Sequence, residues 1–88
     1  MKVLKFGSIG CVGCVTMKPR WAEIEQENPG LVTEFIDIDE DVKAAENWKI
    51  REVPEFIFLD KDGREIERMA GIIEKPILVA KIRELRNR

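Results

Sequence analysis

Eighty-eight residues are expected to form one domain, spanning residues 1–88, and a chain this short buries only a modest core. It is 44% hydrophobic and 36% charged, with apolar runs such as Phe56-Ile57-Phe58-Leu59 that disordered chains lack. Fifteen basic against seventeen acidic residues give a net charge of −2, which argues against a nucleic-acid-binding domain, and no stretch approaches the ~20 apolar residues of a membrane span.

Lys2 to Gly7 reads as a short strand running straight into Ser8-Ile9-Gly10-Cys11. From Cys11 the period becomes helical: Cys14, Met17, Trp21 and Ile24 recur at spacings of three and four, on one face. Pro19 lies inside that helix and predicts a kink, and Asn28-Pro29-Gly30 stops it. Leu31 to Ile38, rich in Val, Thr, Phe and Ile, is the second strand. The acids Asp39-Glu40-Asp41 suit a helix N-terminus, so Val42 to Trp48 is expected to be a short helix. Glu55 to Leu59 is a third strand, Asp60-Lys61-Asp62-Gly63 a turn, and Arg64 to Ala70 a fourth strand polar enough for a sheet edge. Pro76 then suits the first turn of a helix running to about Asn87, with Leu78, Ile82 and Leu85 facing inward. The order β-α-β-α-β-β-α predicts an α/β fold: a mixed four-stranded sheet with helices on both faces.

Cys11-Val12-Gly13-Cys14 sits where a strand ends and a helix begins. There Cys11 meets unsatisfied backbone N–H groups and the positive end of the helix dipole, both of which favour the nucleophilic thiolate. Cys14 follows one turn later on the same side, within reach of its partner. Two other readings stay open. A C-x-x-C pair is half of a structural zinc site, but the chain has no His and no further Cys to complete it. Plain core packing is the third, against which Gly10 and Gly13 make poor neighbours. Asp37 and Asp39 fall on one side of a strand end, yet no glycine-containing calcium loop accompanies them. Neither a metal nor another cofactor is therefore expected beyond the redox-active cysteines themselves.

The sequence resembles the thioredoxin family over essentially its whole length. The resemblance is carried by Cys11 and Cys14, Pro19 in the following helix, and Ile50-Arg51-Glu52-Val53-Pro54 ahead of Phe56-Ile57-Phe58-Leu59. Lys61-Asp62-Gly63 and Gly71 complete it. It implies the thioredoxin fold and a thiol–disulfide oxidoreductase with Cys11 attacking and Cys14 resolving. It also implies a cis peptide at Val53-Pro54 and a substrate-binding surface of Val12, Gly13, Val53, Pro54 and Gly71, with the backbone of Val53 presented to an extended substrate segment. Disulfide-containing proteins are the implied substrates and an upstream disulfide reductase the implied partner of a protein expected to be monomeric. Lys5 stands where a signal peptide would need its apolar core, so a cytoplasmic location is expected. Glutathione-linked chemistry and a non-catalytic binding module are the alternatives.

Departures from the family accompany the match. Gly10 stands where thioredoxins usually have Trp, Val12 and Gly13 where they have Gly-Pro, and the extra N-terminal strand and helix are missing. Lys5 occupies the place of the family's buried Asp. It is expected to lie at an exposed strand end with its ammonium reaching water.

Overall fold

The computed structural model describes residues 1–87. Strand β1 (Lys2–Gly7) leads into helix α1 (Val12–Glu27), then β2 (Val32–Asp37) and helix α2 (Val42–Asn47). Strands β3 (Glu55–Leu59) and β4 (Glu65–Ala70) and helix α3 (Lys75–Arg86) complete the order. The four strands lie in the order β2-β1-β3-β4. Strand β1 runs parallel to β2 and antiparallel to β3, which pairs antiparallel with β4. The polar strand β4 is thus an edge, as its alternating Glu and Arg residues lead one to expect.

Alternation along the central strands divides the core into two. Val3, Phe56 and Phe58 face Met17, Trp21 and Ile24 of α1 and Leu78, Ile82 and Leu85 of α3. Leu4, Phe6, Ile57 and Leu59 face the other way, against Ala44 and Trp48 around α2. Strand β3 is buried along its whole length because it is covered on both faces. Trp21 packs its ring 5.3 Å from that of Phe56, so its place in the helical stripe is a core position.

Local chemistry accounts for the element ends. Helix α1 is continuous through Pro19, and Asn28 closes it by donating from Nδ2 to the Ile24 carbonyl, 2.8 Å away. The Asp41 carboxylate caps α2 by accepting from the Ala44 N–H at 3.0 Å. In the β3–β4 turn, Asp60 Oδ1 accepts from the Asp62 and Arg64 N–H groups at 2.8 and 3.0 Å. Gly63 there takes a φ of 82°, which its lack of a Cβ permits. Helix α3 starts one residue before Pro76, and Lys75 ties it to α1 through Glu23 and Glu27 at 3.0 and 2.8 Å.

One expectation is corrected. Lys5 is not at an exposed strand end. It lies within β1, bonded to β2 on one side and β3 on the other, and its side chain is 17% exposed. Its ammonium stays inside because Glu25 of α1 supplies Oε2 at 2.6 Å, an oxygen that also accepts from Thr33 Oγ1 at 2.8 Å. The same ammonium stands 5.8 Å from the centre of the Trp21 ring.

Candidate active site

The end of β1 delivers the chain to α1 with Cys11 as the N-cap residue. Cys11 has an extended backbone, φ −90° and ψ 112°, so its side chain folds back over the first helical turn. Its Sγ accepts from the Cys14 N–H at 3.0 Å, as an N-cap serine oxygen would. Cys11 and Cys14 are joined by a disulfide with their Cα atoms 5.2 Å apart. Both are half-buried. A thiolate released on Cys11 inherits the N–H of Cys14 and the positive end of a sixteen-residue helix.

Beside the pair, the Val53–Pro54 peptide bond is cis, and Pro54 is buried. The first turn of α1 lies directly on this proline, since a Cβ on Gly13 would come within 2.9 Å of Pro54 Cδ. Gly71, with φ 89°, donates its N–H to the Pro54 carbonyl at 2.8 Å. The cysteines with Gly13, Pro54 and Gly71 are therefore brought together from three separate parts of the chain. Val12 is exposed at the rim, while Val53 is half-buried against the α2 side of the core. Among the described residues no group of three or more His, Cys, Asp or Glu is placed to hold a metal ion.

Residues that the motif did not single out complete the surroundings. Ile9, Val15 and Ile72 are exposed apolar side chains near the pair, and Ile72 Cγ1 would lie 3.5 Å from a Cβ on Gly13. Their signal in the sequence is an apolar residue flanking a cysteine or the Gly71 turn, which is easily taken for core. Gly7 is a second close approach, where an added Cβ would stand 3.1 Å from Cys14 Sγ and 2.9 Å from a Phe35 ring carbon. Behind Cys14 a cleft of about 350 Å³ opens between α1 and the sheet, with Trp21, Phe35 and Asp37 in its walls.

The family profile described as Thioredoxin matches residues 1–84. This chain belongs to the thioredoxin family. Among curated relatives it is 32% identical over 83 residues to thioredoxin H4-1 of Oryza sativa subsp. japonica, covering 94% of this chain and 62% of that protein. It is also 32% identical over 77 residues to an H-type thioredoxin of Populus jackii, covering 88% of this chain and 54% of the relative. The chain thus spans little more than half the length of the latter. A solved poplar thioredoxin h superposes with a TM-score of 0.89 at 29% identity, over 99% of this chain and 77% of that one. The four-stranded sheet and three helices are the thioredoxin fold, and Cys11 and Cys14 are the C-x-x-C pair at its helix N-terminus.

Proposed function

We propose that the protein is a thiol–disulfide oxidoreductase that reduces protein disulfides through Cys11 and Cys14. The observation that carries this reading is the seat of Cys11: an N-cap sulfur that accepts the Cys14 N–H, in disulfide linkage with the residue that donates it. In the reduced protein the Cys11 thiolate attacks one sulfur of the substrate disulfide, and the other substrate sulfur leaves as a thiolate that takes a proton from solvent. The Cys14 thiol then loses its proton and attacks Cys11 Sγ. That step releases the second substrate thiolate and leaves the Cys11–Cys14 disulfide. Two electrons pass to the substrate, and an upstream dithiol must return them.

Pro54 lies against the first turn of the cysteine-bearing helix, and this supports a role for it and the Val53 backbone before it in holding an extended substrate segment by main-chain pairing. The exposed side chains of Ile9, Val12 and Ile72 supply apolar contact around the sulfurs. Substrate binding thus falls to Val12, Gly13, Val53, Pro54 and Gly71 with these neighbours. A reductant of this kind works in a reducing compartment, the cytoplasm.

Cysteine substitution tests the scheme directly. Cys11→Ser is expected to abolish insulin reduction, whereas Cys14→Ser is expected to accumulate a mixed disulfide on Cys11, seen by mass spectrometry. An active Cys11→Ser variant would defeat the assignment. Equilibration with redox buffers sets the direction: a potential near about −270 mV marks a reductant, and one between about −120 and −180 mV an oxidase or isomerase.

A further inference from the structure

Arg68 is on the polar edge strand β4, where a solvated cation would be unremarked. Its guanidinium nevertheless has all five of its N–H donors engaged. Nε and Nη2 donate to the two oxygens of Glu65 at 3.0 and 2.8 Å. Nη2 also donates to the Trp48 carbonyl at 2.8 Å, and Nη1 to the Lys49 carbonyl at 3.4 Å and Glu55 Oε2 at 3.0 Å. Each acceptor has a reason to need the contact. Trp48 is the C-cap of α2, where carbonyls lack partners within the helix and a cation is favoured. Lys49 turns the chain out of α2 with a φ of 55°, a conformation few non-glycine residues adopt. Glu55 is 6% exposed, and its other oxygen, Oε1, has no partner among the described residues.

The placement of these acceptors gives the network its meaning. Trp48 and Lys49 precede the irregular segment 50–54, and Glu55 follows it directly after Pro54. One guanidinium on β4 therefore holds both ends of the segment that carries Val53 and Pro54. The Gly71 N–H, three residues beyond Arg68 at the end of the same strand, holds the Pro54 carbonyl.

We propose that Arg68 is the positioning residue of the substrate-binding segment, holding Val53 and Pro54 where an extended polypeptide pairs with them and so setting a preference for protein over small disulfides. This rests on the reading of Val53 as the backbone that pairs with substrate. A small disulfide needs only the sulfurs, whereas a protein substrate needs the main-chain contact as well, so loosening the segment weakens binding of the protein more.

The test compares insulin with hydroxyethyl disulfide as substrates of the full chain, with dithiothreitol as reductant. Arg68→Met is expected to raise the KM for insulin about tenfold with kcat changed by less than about twofold, as losing hydrogen bonds to a charged group does. The ratio of kcat/KM for insulin to that for hydroxyethyl disulfide then falls by about the same factor. Glu55→Gln, which keeps the shape and removes the charge, is expected to lower the ratio in the same direction by less. If Arg68→Met fails to fold by circular dichroism, Arg68→Lys decides, because an ammonium keeps the charge but not the five-donor fork. An unchanged ratio in the folded variants, or a fall in kcat at constant KM, overturns the assignment. A wild-type chain that cannot reduce insulin at all sinks the underlying functional reading, and this inference with it.

Discussion

Gly13 shows how little room surrounds the pair, since any side chain there enters the ring of Pro54 at 2.9 Å. The proline ring is bonded into the backbone and cannot swing aside as a flexible side chain would. Gly13→Ala is therefore expected to lower insulin reduction several-fold, while Gly10→Ala, with nothing within 4 Å of the added carbon, leaves the rate unchanged. Parallel turnover assays decide it, and equal rates would show that the contact relaxes without consequence. Lys5 and Glu25 make a second argument at this scale. The 2.6 Å pair has side chains 17% and 33% exposed, so removing one partner strands a charge among apolar neighbours. Glu25→Met is expected to destabilise the fold by about 1–3 kcal/mol. Lys5→Met combined with it should recover much of that loss, because the orphaned ammonium is gone. Urea unfolding of the two single variants and the double variant measures the coupling.

Helix α3 illustrates the element scale. Leu78, Ile82 and Leu85 line one side and are buried against the sheet, whereas Ile77, immediately before Leu78, is 53% exposed. Leu78→Ala is expected to cost about 2–5 kcal/mol through lost burial and the cavity left behind. Ile77→Ala should stay within about 0.5 kcal/mol, and denaturant midpoints separate the two. The helical spacing alone identified these three inward residues, because period 3.6 and one-sided burial are the same fact. In α1 the same logic identified Met17, Trp21 and Ile24, all buried. It did not reveal that Glu25, next to Ile24, turns inward to meet Lys5, since a Glu in a helix reads as solvated until a cation faces it.

Across the whole molecule, ion pairs tie the edge strand and the outer helix to the rest: Lys75 joins α3 to α1, and Lys81 joins it to Glu67 of β4 at 3.1 Å. Hydrogen bonding from Arg68 holds the Glu65 carboxyl below its ordinary value of 4.5. The Arg64 backbone N–H, joined by that of Asp62, does the same for Asp60 below 3.8. Carboxyls lowered in the folded state contribute stability that is present above their unfolded values and lost as pH falls through the folded ones. Urea midpoints are accordingly expected to hold down to about pH 4.5 and to decline on further acidification. Arg68→Met should flatten that decline by removing the Glu65 share. A midpoint that rises on acidification would contradict the sign.

Element order, the strand–helix junction bearing Cys11 and Cys14, the Gly63 turn and the edge character of β4 were all legible in the residues. Each depends on a local rule, whether period, cap, turn conformation or polarity, that operates over a few positions. The approach of Gly13 to Pro54 was not legible, because it joins parts of the chain 41 residues apart whose distance is set by packing of α1 on the sheet. Lys5 was misread for the same reason. Its place in the family pattern was visible, but its partner lies 20 residues away on another element. Arg68 looked like one charge on a polar strand, and only the register of β3 against β4 and the path of the chain after α2 brought Trp48, Lys49 and Glu55 to it. Local sequence determines which elements form and where a thiolate is favoured. Tertiary structure decides which distant groups meet, because burial and register act on the folded chain as a whole.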